Sequence, residues 1–351
     1  MLFHVILILL IGICGLLMRS GIALKVYFTV SLLILTILSA FRSLNIGNDS
    51  FDYALSFVRI GEYPGIFDNT SRYEIGYIIL NKFLYYFSKD PFILFFLSSV
   101  FVTGTIFWFI SKYSKSVWMS IFLFLNLRIY YFTLSGIRQS IALSIVLISF
   151  HFLHKNKKLP FILLVILAST FHSSAILFLI VYPLSKIKYT KKVMMVYLLV
   201  ALLLYSTFTS FMNLVFSIFP QYLVYNGSDY FENTQVASVL DSLIVLLILF
   251  VGAFIFWKSA KKSYFFNIML HIISIATVIT LVSINASIIK RAALYFFTFS
   301  IVYIPLILNE INHKQKRLLL SYLFIVLFFA YNLIVLYYRP EWQHVYPYEF
   351  Q

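Results

Sequence analysis

The chain has 351 residues, 62% of them hydrophobic and only 11% charged, with a mean hydropathy of +0.94; no polar shell could cover that composition, so a water-soluble domain is excluded and lipid is the solvent for most of the length. Its 27 Lys and Arg against 12 Asp and Glu give a formal charge of +15, but the cations are scattered over short connectors with no basic domain, which argues against nucleic acid as a partner. The apolar stretches run on without period-two alternation, so they are helices and not barrel strands, and the expected fold class is all-α, a polytopic transmembrane helix bundle.

A span needs about 20 apolar residues, and the runs that qualify are 2–18, 22–41, 91–110, 117–134, 138–153, 159–185, 193–217, 240–257, 264–284, 292–309 and 318–338, giving 11 to 12 crossings. The first run has no basic stretch before it and no small-residue cleavage site after it, so it reads as an uncleaved span. The single cysteine, Cys14, lies inside it and can close no internal disulfide. Two long polar stretches interrupt the runs, 42–90 and 218–239. With no repeat and no flexible linker, residues 1–351 read as one membrane domain carrying two external loops.

The charges orient the bundle. Six connectors, Arg19/Lys25, Lys112/Lys115, Lys155/Lys157/Lys158, Lys186 to Lys192, Lys258/Lys261/Lys262 and Lys314/Lys316/Arg317, hold 17 of the 27 cations and only one acid, Glu310. Cations favour the cytoplasmic side, so these connectors are assigned inside, and both termini with the acid-bearing stretches outside. Strict alternation then fails after residue 185 unless one more crossing exists. The polar interruption Phe171-His172-Ser173-Ser174 within 159–185 supplies it if two short helices meet at His172, since irregular backbone is tolerated at membrane depth where protein or water lines it. The alternative is one long tilted helix with a basic connector left outside.

Candidate chemistry gathers near the outer side. The stretch 42–90 holds six of the 12 acids. Asp49 and Asp52, three apart, share one face of any helix that starts there; they suit a divalent metal pair, a base with its support, or a plain capped helix start. Farther on comes Tyr73-Glu74-Ile75-Gly76-Tyr77. Arg128 and Arg138 flank a polar break at Ser135-Gly136. An arginine in hydrocarbon costs about 2.5 to 3.5 kcal/mol, so a cavity or an anion is expected for each, with snorkelling to headgroups as the plain alternative. Arg138, opening the fifth span, offers a rigid fork for phosphate oxygens. His172, set in the interruption between two apolar halves, suits a general base or a neutral hydrogen-bond partner. Lys290-Arg291 are two cations on the side where cations are disfavoured, which points to a fixed anion or to headgroup phosphates. Tyr53, Tyr63, Tyr73, Tyr77, Tyr222, Tyr225 and Tyr230 read as an interfacial belt in preference to a sugar-stacking surface. His4, His151, His154, His271, His313 and His344 lack such context and are assigned structural roles. The chain has no Walker motif, no His-Glu-x-x-His, no cysteine cluster and no Gly-x-Ser-x-Gly elbow, so nucleotide-driven chemistry has no visible support.

Gly47-Asn48-Asp49 with Tyr53, Glu74-Ile75-Gly76-Tyr77, Ile137-Arg138-Gln139 followed by Ile141-Ala142, the basic turn Lys155 to Lys158, and Phe171-His172-Ser173-Ser174-Ala175 together resemble the EpsG family of bacterial exopolysaccharide and capsule proteins, related in role to Wzy-type polymerases. The resemblance is good over residues 45–185 and rests beyond 190 on Arg291 with Tyr295-Phe296 and on Pro347-Tyr348; Gly136 stands where an Asn would fit as readily. It implies a GT-C-like glycosyltransferase in the bacterial plasma membrane. Such an enzyme joins oligosaccharide repeat units, as in capsule or O-antigen, from undecaprenyl diphosphate at the outer face, alongside a repeat-unit flippase and a chain-length regulator. No cofactor is expected, because the diphosphate lipid is already activated. The resemblance implies Arg138 and Arg291, with Gln139, as diphosphate ligands and Asp49, Glu74 and His172 as candidate bases. Asp52, Tyr53, Tyr77, Lys290 and Arg128 would support them. A lipid-linked oligosaccharide flippase and a membrane O-acyltransferase acting on the same polysaccharide are the competing functions.

Overall fold

The computed structural model describes residues 1–18, 20–65, 73–218, 223, 236–259 and 263–351, and these form helices with no named strand among them. Tyr222, Tyr225, Tyr230, most of the 218–239 stretch and the connector cations Arg19, Lys261 and Lys262 lie outside the described residues. The helices are α1 Leu2–Leu17, α2 Gly21–Ala40, α3 Ser50–Glu62, α4 Ile75–Phe87, α5 Phe92–Tyr113, α6 Val117–Asn126, α7 Ile129–Ser135, α8 Ile137–His154 and α9 Lys158–Ser169. After a 3-10 turn, Ser173–Ile180, come α10 Val181–Leu184, α11 Lys191–Ser206, α12 Phe208–Ile218, α13 Val236–Lys258 and α14 Tyr264–Val282. A second short 3-10 turn, Ser287–Ile289, leads to α15 Lys290–Phe297, α16 Ser300–Asn309 and α17 Lys314–Tyr338.

Six of these helices are long and apolar enough to cross a membrane, and nine spans result if three bent pairs each count as one. This is a polytopic membrane protein. The 11 to 12 expected crossings exceed that number because α1, α9 and Ser173–Leu184 are apolar but short. The bent pairs explain why single apolar runs do not give single rods. The run 117–134 breaks by 54° at Arg128, whose left-handed backbone (φ 62°) no helix accommodates. The runs at 193–217 and 292–309 break by 83° and 43°.

Two expectations about the connections are settled by helix placement. The run 159–185 is not one long helix: α9 stops at Ser169, residues 170–172 turn, and the chain resumes as the 3-10 segment. Within the stretch 42–90 the described residues include two 13-residue helices, α3 and α4, packed on each other.

The chain divides into two compact units, Met1–Ile176 with Ile311–Gln351, and Leu177–Glu310. In the first, α8 is buried on nearly every side between α5 and α9, α2 lies on α5, and α1 and α17 lie on α6. The outer faces of α2 and α17 expose Ile22, Val26, Leu33, Leu319, Leu323 and Val326, as a lipid-facing surface should. In the second unit α14 is the buried helix, contacted by α11, α13, α15 and α16.

The segment after α17 turns back over one end of the first unit. Arg42 and Phe350 form an antiparallel bridge, the Ser43 N–H donates to the Glu349 carbonyl at 2.9 Å, and the Gly47 N–H donates to the His344 carbonyl at 3.0 Å. His4 Nε2 donates to the Val345 carbonyl at 2.7 Å. The start of α1, the α2–α3 connection and this tail therefore meet at the same end.

Candidate functional site

Three interruptions of helix bring the polar groups of the first unit together. Glu74 occupies the extended residue before α4 (φ −70°, ψ 150°), Arg138 lies in the first turn of α8, and His172 and Ser173 follow the end of α9. Arg138 Nη1 donates to Glu74 Oε2 at 2.5 Å. The other carboxylate oxygen accepts the Ser173 N–H at 3.0 Å and lies 3.4 Å from His172 Nδ1. One carboxylate thus ties an arginine from one helix to the broken backbone after another.

The approach is close because Gly76 permits it. Its N–H donates to the Thr170 carbonyl at 2.8 Å, and a Cβ at position 76 would lie 2.3 Å from Thr170 Oγ1 and 2.8 Å from that carbonyl oxygen. Here a side chain is excluded by backbone proximity, a recurrent reason for glycine.

Burial by itself would raise the Glu74 carboxyl. Hydrogen bonding to His172, the Arg138 charge and the Ser173 N–H outweigh it and hold the group at about 2, against an ordinary 4.5. Glu74 is therefore a fixed anion whose lone pairs are engaged, a poor proton acceptor and a good organiser. His172, half-buried, presents Nδ1 to this carboxylate. That arrangement, a carboxylate behind one ring nitrogen, orients the ring.

Aromatic rings wall in the guanidinium. Arg138 Cζ lies 4.7 Å from the Tyr73 ring centroid and 5.9 Å from that of Tyr77, within cation–π range. Tyr53 packs edge-on against Tyr77 at 5.8 Å, and its hydroxyl reaches Arg138, while burial pushes its phenol up. Tyr53, Tyr73 and Tyr77 are buried, which corrects their assignment to an interfacial belt; Tyr63, 41% exposed, keeps the surface position.

The remaining candidates sit as follows. Asp49 precedes α3, with its charge felt at Tyr53, and Asp52 is exposed in the first helical turn. No group of three His, Cys, Asp or Glu that could hold a metal ion occurs among the described residues. Gln139 is buried in α8. Arg128 is buried away from Glu74: it donates to Asn332 Oδ1 at 3.1 Å, to the Trp342 carbonyl at 3.3 Å and to Gln343 Oε1 at 2.6 Å. These three acceptors belong to the tail and α17. Lys290 and Arg291 open α15 in the second unit, where Lys290 pairs with Asp241 of α13.

Sequence reasoning passed over Arg42, Asp241 and the part played by Tyr73. Arg42 is 2% exposed and meets carbonyls in place of a carboxylate. Its signal was available in the sequence, a lone cation at the acid-rich end of a span, though nothing there named its partners.

The family model described as EpsG family matches residues 25–350. No curated protein and no solved structure matches the chain. The matched segment runs from within α2 into the tail, including the residues that bring Glu74, Arg138 and His172 together, and on that coverage this chain belongs to the EpsG family.

Proposed function

We propose that the protein is a polysaccharide polymerase that transfers an oligosaccharide repeat unit from undecaprenyl diphosphate to an acceptor sugar at the outer face of the bacterial plasma membrane. In this reaction the acceptor hydroxyl oxygen bonds to the donor sugar C1. The bond from C1 to the diphosphate oxygen breaks, its electron pair leaves with the lipid diphosphate, and the hydroxyl proton passes to a base. The observation that carries the reading is the Glu74 carboxylate held between Arg138 and His172. It gives an oriented cation suited to a departing diphosphate beside an oriented imidazole suited to taking a proton.

The roles follow from the chemistry of each group. Arg138 neutralises charge developing on the leaving oxygens, worth about 2 to 4 kcal/mol by analogy with other preorganised donors. His172 is the base. Glu74, with its low proton affinity, holds both in place, and Tyr53, Tyr73 and Tyr77 exclude water around the guanidinium. Asp49 lies at the edge of this group, as a second candidate base. Arg291, at the start of α15 in the second unit, is a cation suited to an anion there.

Arg138→Lys keeps the charge and loses the fork. In a strain whose own copy is deleted, it should insert at the normal level and yield single repeat units stalled on lipid outside, with polymer reduced at least about 100-fold. His172→Asn should give the same product. Polymer at the normal level from either variant refutes the assignment. Repeat units trapped inside would identify a flippase instead, and full-length polymer lacking acyl groups an acyltransferase.

A further inference from the structure

Arg42 is a buried cation with no carboxylate partner among the described residues. Its guanidinium instead donates to the Ser39 carbonyl in the last turn of α2, and to the Leu134 carbonyl in the last turn of α7 at 2.9 Å. It also sits 4.9 Å from the Phe95 ring centroid. Helix C-termini present unpaired carbonyls and partial negative charge, so two such ends substitute for the missing acid. The same Leu134 carbonyl receives a second element. Gly47, at φ +88°, packs so closely that a Cβ would lie 2.3 Å from the Leu134 oxygen. Next to it, the Asn48 N–H donates to Ser135 Oγ at 3.1 Å. The tail closes the other side, with the His344 carbonyl accepting from the Gly47 N–H at 3.0 Å and the Glu341 carbonyl accepting from Asn48 Nδ2 at 3.3 Å.

What Arg42, Gly47 and Asn48 hold in common is the short junction Leu134-Ser135-Gly136, between α7 and α8. Arg138 follows two residues later. A junction free to shift would move the first turn of α8, and with it the guanidinium, relative to Glu74.

We propose that Arg42, with Gly47 and Asn48 clamped under the tail, is a brace that fixes the α7–α8 junction and so sets Arg138 for its anion; Arg42 is a positioning residue. This inference rests on the reading of Arg138 as a diphosphate ligand.

The test uses the full chain in nanodiscs with Cys14→Ala and radiolabelled undecaprenyl diphosphate as probe. Arg42→Met and Gly47→Ala should weaken binding about tenfold or more, as expected for loss of a buried hydrogen bond that orients a ligand group. An Asn48→Cys/Ser135→Cys pair, oxidised to a disulfide in the Arg42→Met background, should restore most of the affinity, and reduction should remove it again. A merely structural role of Arg42 predicts no such redox-dependent rescue. If Arg42→Met does not insert, Ser135→Ala, which removes only the acceptor of the Asn48 N–H, takes its place. Wild-type affinity in a folded Arg42→Met or Ser135→Ala protein overturns the brace. If the wild type itself fails to bind the probe, the diphosphate reading falls. The brace is then judged on the maleimide labelling rate of an Arg138→Cys protein: a change of about tenfold on adding Arg42→Met upholds it, and an unchanged rate overturns it.

Discussion

At the level of single residues, the decisive feature is a carboxylate that three groups share. A carboxyl held at about 2 in the folded chain against 4.5 when unpartnered adds stability that is fully present above about pH 4.5. That stability drains away as the pH falls toward 2. Glu74→Gln removes it and takes from the half-buried Arg138 the carboxylate it pairs with among the described residues. The expected cost is about 3 kcal/mol near neutral pH, each pKa unit being worth about 1.4 kcal/mol, together with a flatter acid limb in a plot of Tm against pH. Thermal unfolding in nanodiscs from pH 3 to 7 checks this, and a Gln variant whose curve overlays the wild type rules it out. Residues of this group were readable from the chain because an arginine, a histidine and a glutamate inside or beside apolar runs are costly and so conspicuous. What sequence could not supply was their division of labour. Glu74 reads as a base until its oxygens are seen to be occupied by Arg138 and Ser173.

Secondary-structure elements show where hydropathy succeeds and where it stops. The break at residues 170–172 was legible because polar side chains interrupt an otherwise apolar run. α3 and α4 were not, since short amphipathic helices between spans carry enough charge to resemble loop. Yet α4 matters most to the site, as Glu74 and Tyr73 sit at its start and Tyr77 in its first turn. The contact of Gly76 with Thr170 sets how near α4 comes to the end of α9. Gly76→Ala must push the two apart, and overpacking of this kind costs about 1 to 3 kcal/mol. The expected result is a lowered Tm with polymer formation lost more than stability alone explains. Thr170→Ala, which removes Oγ1 but leaves the backbone carbonyl in the way, should restore little.

For the molecule as a whole, charge placement gives an orientation that labelling can test. With Cys14→Ala as background, a cysteine at position 90 or 351 should react with an impermeant maleimide from outside in intact cells, and one at 115 or 157 only after permeabilisation. Labelling of 115 from outside would invert the assignment of faces. The division into two compact units had no counterpart in the sequence, because hydropathy reports which residues avoid water and not which helices touch. One consequence remains in the dimensions of α9. Its 12 residues extend only about 18 Å, yet Leu159, Leu163, Ile166 and Leu167 face outward, where hydrocarbon is about 30 Å thick. On the reading proposed above, local thinning of the bilayer would relieve such a mismatch and draw lipid headgroups toward the depth of His172, just beyond that helix. If the proposed lipid-linked donor is the substrate, such thinning would bring its head toward Arg138, and turnover should fall as the surrounding acyl chains are lengthened.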